Sequence, residues 1–293
     1  MPTLIDLRRR IQSIKNSQQV TQAMKTVATA RYKKAHRLVI ERRPFWHLFP
    51  EVAISLTKAL NLSEHPYLQV RRENKLLAVV VTSDKGLCGA FNSNLLEKAS
   101  RFLEQKKEGS EIKVIPIGKK AVNYFKNSPY QVERSYFDRV EKKIPEISLD
   151  LGSWIDYQFT FQRFDVVYVL YNEFHSIIAP RITLTKLLPI TSEKDTSETP
   201  EVSYPEPIWE PEASRVIDYL LRIYVRNQVE HFLYESQTSE QASRMMAMEN
   251  ASRNAGELIS DLVLLLNKIR QASITRELLE IQTAVEALRQ QGV

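Results

Sequence analysis

The apolar positions of this chain keep two different rhythms. Near the N-terminus Leu4, Leu7, Ile11 and Ile14, then Thr21, Ala28, Tyr32, Ala35 and Val39, recur at steps of three, four or seven. Near the C-terminus Leu258, Leu262, Leu265 and Ile269, then Ile274, Leu278, Ile281, Val285 and Leu288, do the same. Such narrow stripes predict the seam of a coiled coil rather than the wide face of a core helix. In the middle the rhythm changes. Lys75 to Thr82, Ile112 to Ile117 and Phe164 to Tyr171 are short, nearly continuous Val- and Ile-rich runs, which predict buried parallel strands. Helical stretches at Ser93 to Glu108 and Lys119 to Lys126 separate them, so the middle reads as an open α/β sheet.

Punctuation sharpens the division. Only 7 glycines occur, where average usage would place about 20 in a chain of this length, and five of them lie from Gly86 to Gly152. Between Pro2 and Pro44 there is neither Gly nor Pro, and from Glu212 to Gln291 there is only Gly256. Two long helices are therefore predicted, paired antiparallel through their seams. The second would run about 120 Å at about 1.5 Å per residue and would protrude from any compact domain of this size. Pro44 and Pro50 should kink or split the first. The expected organisation is an N-terminal helical arm over 1–72, a Rossmann-like α/β domain and linker over 73–211 (its polar, proline-rich stretch beginning at Thr191), and a long C-terminal helix over 212–293.

Charge adds a partner to this picture. Residues 1 to 43 carry eleven Lys and Arg against Asp6 and Glu41, a local charge of 11 − 2 = +9 within a chain of net +6. So basic a face implies an anionic partner: nucleic acid, lipid headgroups or an acidic protein surface. No base-stacking aromatics interleave with the basic residues, so a basic-helix nucleic-acid-binding protein is the alternative supported by charge alone. No stretch approaches the roughly 18 consecutive apolar residues of a membrane span, and the N-terminus lacks signal-peptide sections, so a soluble or peripheral cytosolic protein is expected.

Candidate chemistry is sparse. The stretch from Val81 to Ala99 runs from a strand through Gly86-Leu87-Cys88-Gly89 into a helix, the context in which backbone amides cradle phosphates. Yet it has neither GxGxxG spacing nor a Walker lysine. A tight turn with Asn92 or Ser93 as helix cap is the simpler reading. Cys88, the single cysteine, reads as a small buried hydrophobe and cannot form an internal disulfide or a thiolate zinc cluster. His36, His47, His65, His175 and His231 show no ligand spacing and read as surface or packing residues. No catalytic residue, metal or cofactor is expected, and a nucleotide-dependent enzyme built on the α/β middle is the weaker rival.

The two arms, taken together, resemble the gamma subunit family of the F-type ATP synthase. "RRRIQSIKNSQQVTQAMKTVATARYKKAH" is similar to the family's opening signature, "TSDKGLCGAFNSNL" to its central motif, and "SEQASRMMAMENASRNAGELISDLVLLLNKIRQASITRELLEI" to its most specific block. The resemblance covers the whole chain. It implies a non-catalytic central-stalk rotor, peripheral at the cytoplasmic face of a bacterial plasma membrane, that couples rotation of a membrane c-ring to catalysis by three alpha and three beta subunits in a 3:3:1 head. No nucleotide site belongs to its α/β domain. It further implies an alpha/beta catch at Met24, Lys25, Arg244, Arg270, Gln271, Thr275, Glu277 and Glu280. A bearing tip is implied at Ile281, Val285 and Leu288, with Ile274 and Leu278 below it. Trp209 and Glu210 are implied as the foot that meets the epsilon subunit and the c-ring.

Overall fold

The computed structural model describes residues 3–59, 65–177, 180–190, 210 and 212–290, without the side chains of 53–59, 214 and 287–290. The expected linker from Thr191 to Pro211 lies, apart from Glu210, outside the described residues. The chain packs as two compact units, one of residues 1–27 with 245–293, the other of residues 28–244.

Two helices contribute to both units: α1 over Leu4–Ala59 and α5 over Ala213–Gln290. Thr3 caps α1, its hydroxyl accepting the Asp6 amide at 3.2 Å while its own amide donates to the Asp6 carboxylate at 3.2 Å. In the first unit α1 and α5 run antiparallel. Leu7 and Ile11 bury against Leu262, flanked by Ile14, Ile259, Leu266 and Ile269; further along, Gln18 donates to the Ser252 carbonyl at 3.2 Å and Lys25 pairs with Glu249. The α1 seam is the one the sequence predicts. The α5 seam is shifted: Leu258 and Leu265 are 42% and 41% exposed, and Ile259 and Leu266 take their places beside Leu262 and Ile269. Apolar residues adjoin one another here, so two stripes of equal spacing existed, and contact with α1 selected one.

The split expected at the prolines does not occur. α1 runs unbroken through Pro44 and Pro50. Pro50 has no N–H for the carbonyl of Trp46, but Gln228 of α5 supplies a substitute, its Nε2 donating to that carbonyl at 3.2 Å. The equivalent acceptor for Pro44 belongs to Ile40, which is 52% exposed and open to water. Trp46 itself is 2% exposed, so burial anchors the helix where the backbone ladder is incomplete.

The second unit is a three-layer α/β fold. Its elements are β1 (Lys75–Val81), α2 (Phe91–Lys106), β2 (Glu111–Ile117), α3 (Lys119–Phe125), β3 (Gln131–Val132), α4 (Ile144–Thr160), β4 (Val166–Glu173) and β5 (Arg181–Leu188). The sheet order is β3-β2-β1-β4-β5, with β1 parallel to β2 and β4 and β5 antiparallel to β4. Alternation along β1 builds both faces: Leu77, Val79 and Val81 join α4, α1 and α5 in one core, while Leu76, Ala78 and Val80 meet α2 and α3 in the other. Glycine is required at two close approaches. A Cβ on Gly118, at φ +89, would lie 2.3 Å from the Thr82 carbonyl oxygen, and one on Gly152 of α4 would lie 3.0 Å from the Arg226 Cα of α5. The three predicted strands stand within two residues of their observed ends, whereas α4, β3 and the antiparallel β5 had not been predicted.

Candidate partner-binding surfaces

The α5 residues expected at the catch and the tip share one property. Beyond Ile269, the last α5 residue of the apolar cluster with α1, Arg270, Gln271, Thr275, Glu277 and Glu280 are all exposed. Their visible bonds stay within the helix: Thr275 donates to the Gln271 carbonyl at 3.0 Å and Ser273 to Glu277 at 3.3 Å. Ile274, Leu278, Ile281 and Val285 are 50%, 61%, 62% and 47% exposed. Steps of four, three and four put these four on one face, an apolar stripe without cover in its own unit. The Leu288 side chain lies outside the described residues, as does Trp209, while Glu210 is exposed. In the first unit Met24 is 39% exposed and Lys25 is engaged with Glu249.

Arg244 is placed differently from the other residues expected at the catch. Its side chain is 13% exposed and pairs with Glu240 one turn earlier at 2.7 Å; its guanidinium also donates to the carbonyls of Lys85 at 3.3 Å and Gly86 at 3.2 Å. Burial pushes the Glu240 carboxyl up, against the pull of Arg244. On the other helix Arg31 grips Glu141 with two bonds of 2.9 and 3.0 Å, and Gln237 donates to the Glu141 carbonyl at 3.4 Å. Asp84 binds the two loops together, accepting amides of Lys119 at 3.0 Å, Asp138 at 3.3 Å and Val140 at 2.9 Å. A polar collar thus fixes the ends of β1 and β2 to both long helices. Only the Glu240–Arg244 spacing was legible beforehand; the other partners stand 35 to 159 positions apart along the chain.

The glycine loop is filled from within. Asn92 accepts the Ser83 amide at 3.0 Å and its Nδ2 donates to the Cys88 sulfur at 3.2 Å. Neither Asn92 nor Ser93 caps α2, whose N-cap is Ala90 with no side-chain bond, because α2 starts at Phe91 and both residues lie inside it. Gly89 takes the left-handed conformation at φ 59, and so does Leu87 at φ 63. Cys88 is buried, and burial pushes its thiol up, away from the nucleophilic thiolate. His231 is a packing residue, its ring 4.9 Å from that of Trp46. Among the described residues no group of three or more His, Cys, Asp or Glu is arranged to hold a metal, and no helix is long and apolar enough to cross a membrane.

A long antiparallel helix pair, a Rossmann-like sheet and an uncovered apolar stripe define a class: the central-stalk chains of rotary ATP synthases. The chain superposes on a chain of the Tetrahymena thermophila mitochondrial ATP synthase central stalk and c-ring with a TM-score of 0.60 at 26% identity, covering 80% of this chain and 99% of that one. A Euglena gracilis mitochondrial ATP synthase rotor chain shares the fold at 20% identity, with a TM-score of 0.62 over 92% of this chain and 98% of that one. The family profile described as ATP synthase matches residues 3–288. The ATP synthase gamma chain of Geobacter metallireducens is 39% identical over 291 residues, 99% of this chain and all of that one, and that of Pelotomaculum thermopropionicum 36% over 288 residues, 98% of this chain and all of that one. The chain belongs to the ATP synthase gamma chain family. Nothing in these relatives favours the nucleic-acid alternative.

Proposed function

We propose that this chain is the rotor of the central stalk of a proton-translocating F-type ATP synthase, coupling rotation of the membrane c-ring to ATP synthesis or hydrolysis in a head of three alpha and three beta subunits. The observation that carries the proposal is the exposed stripe Ile274, Leu278, Ile281 and Val285 on a helix that has outrun its partner. Exposed apolar stripes of this kind mark places where another surface binds. A surrounding sleeve of subunits is that cover in this reading, and an apolar contact without directional bonds lets the helix turn within it.

The remaining roles follow from the same reading. The chain is non-catalytic, needs no cofactor and has no small-molecule substrate of its own; the nucleotide chemistry belongs to the alpha and beta subunits. Met24, Lys25, Arg270, Gln271, Thr275, Glu277 and Glu280 form the catch, with Arg270 and Gln271 meeting beta-subunit carboxylates. The basic residues of α1 add a screened attraction to the same partners. Arg244 serves the catch by holding the Lys85-Gly86 loop in place. Trp209 and Glu210 belong to the foot that meets epsilon and the c-ring. The division into an arm over 1–72, an α/β domain with linker over 73–211 and a helix over 212–293 describes these three jobs. The protein works peripherally at the cytoplasmic face of the bacterial plasma membrane.

The test is reconstitution. Mixed with purified alpha and beta subunits, the chain should co-elute as a 3:3:1 complex, and a probe on its α/β domain should turn in one direction as ATP is hydrolysed. A chain that elutes alone overturns the reading.

A further inference from the structure

The carboxyl ends of β1 and β2 open onto a cavity of about 460 Å³, closed on the far side by α5. It borders the glycine loop at Ser83 and Lys85, on the side away from Asn92, and the collar residues Arg31 and Arg244 form part of its wall. The cavity thus lies outside the carboxyl ends of two parallel strands, the end of an open α/β sheet at which ligands bind.

The charges around the cavity sort by what already holds them. Arg31 is matched by Glu141 and Arg244 by Glu240, and Asp84 is satisfied by three backbone amides. Lys85, Lys119 and Arg139 remain, none with an ion-pair partner among the described residues, faced by the carboxylates of Asp84, whose amide bonds leave its charge in place, and Asp138. They come from three separate segments, and the collar holds those segments in place: Lys85 follows β1, Lys119 opens α3, and Arg139 is fixed in the left-handed conformation at φ 61. Three cations without an ion pair against two carboxylates on a concave surface leave an excess of positive potential there. A dianionic tetrahedral oxyanion is the ligand that answers it, because each of its oxygens accepts charge-assisted bonds from Lys or Arg.

We propose that this cavity is a phosphate-binding site, with Lys85, Lys119 and Arg139 as its ligands. The group can arrive as inorganic phosphate or as the terminal phosphate of a nucleotide. No aromatic pair is set to clamp a base, so inorganic phosphate binds at least as well as ADP. The inference stands independently of the rotor reading, since the cavity is formed within a single chain.

Titration of the full-length chain with inorganic phosphate at constant ionic strength, followed by amide nuclear magnetic resonance, tests it. Gly86 and Gly118 flank the cavity and should shift saturably. The Lys119→Gln/Arg139→Gln variant should weaken that response roughly tenfold or more, whereas Arg8→Gln/Arg9→Gln/Arg10→Gln, which strips charge from α1, should leave it unchanged. A Lys85→Gln variant provides a second reading, and an unchanged spectrum of each variant without phosphate confirms that it is folded. A parallel titration with ADP separates the two sources: a response lost with the same cations but no stronger than that to phosphate supports the site, while a response to ADP far tighter than to phosphate overturns its assignment as a phosphate site. Absence of a saturable shift, or a response insensitive to the three cations, overturns the proposal and leaves the co-elution and rotation results untouched.

Discussion

Gly118 shows how much one residue can decide. Its φ of +89 and the 2.3 Å that would separate an added Cβ from the Thr82 oxygen leave no room for a side chain, and the contact is with backbone that cannot swing away. Gly118→Ala should cost about 2–4 kcal/mol in denaturant unfolding, and since the turn places Lys119 and carries the Asp84 bonds, loss of the collar should accompany it. Titratable residues set a second trend. Burial holds His65 and His47 below the ordinary histidine value, in His47 with help from His231. The native state therefore takes up protons later than the unfolded chain as pH falls, so stability is fully present above the unfolded histidine value of about 6.5 and declines below it. Burial disfavours ionised Glu235, but His231 and Arg43 outweigh it and its carboxyl is held low; its share of stability disappears at still lower pH, as the folded-state carboxylate is protonated. Unfolding midpoints measured from pH 8 to pH 3 should fall in those two stages, and a midpoint that rises between pH 7 and pH 5 would contradict the histidine assignment.

At the scale of elements, the long helices are stabilised by what they touch rather than by propensity. The paired part of α5 rests on a thin cluster in which Leu262, at 8% exposure, is the central α5 residue. Leu262→Ala should cost about 2–3 kcal/mol, read as increased amide exchange in residues 5–15 and 255–270. Leu265→Ala, on the face that α1 did not choose, should change stability by under about 0.5 kcal/mol. In the collar, Arg244→Ala removes the donor to two loop carbonyls and leaves Glu240 buried without its cation. A loss of about 2–3 kcal/mol is expected, and Glu240→Gln should recover part of it in the double variant by removing the stranded charge.

The whole molecule separates surfaces that fold it from surfaces that serve partners. Substituting Ile274, Leu278, Ile281 or Val285 with Ser should leave the unfolding midpoint of the isolated chain within about 0.5 kcal/mol, since none has an intrachain core to lose, while weakening assembly with alpha and beta subunits. Arg270→Ala should likewise leave the chain folded and lower the coupling of ATP synthesis to proton flow. Wild-type coupling in that variant would remove Arg270 from the catch.

Much of this was legible in the sequence for a physical reason: local periodicity and punctuation are properties of neighbours. The scarcity of Gly and Pro, the steps of three and four, and the Val-rich runs were enough for two long helices around an α/β middle, and the quoted motifs were enough for the family. Tertiary structure decided what depends on residues far apart. Two apolar stripes on α5 had equal claim to the seam until α1 supplied the partner. Pro50 predicted a break that a Gln228 side chain, 178 positions away, prevents by bonding the freed carbonyl. That Arg244 bonds the Lys85-Gly86 loop could not be seen in the sequence, because the loop lies 158 and 159 positions away. β5 escaped notice because an antiparallel edge strand, Arg181–Leu188, is only partly buried and mixes Lys and Thr with its apolar residues. Sequence by itself determined the two long helices and the three central strands, since backbone preference and hydrophobic spacing act over a few residues; only the folded structure decided the edge strands and which face, which carbonyl and which charge each side chain meets, because those energies arise from long-range contact.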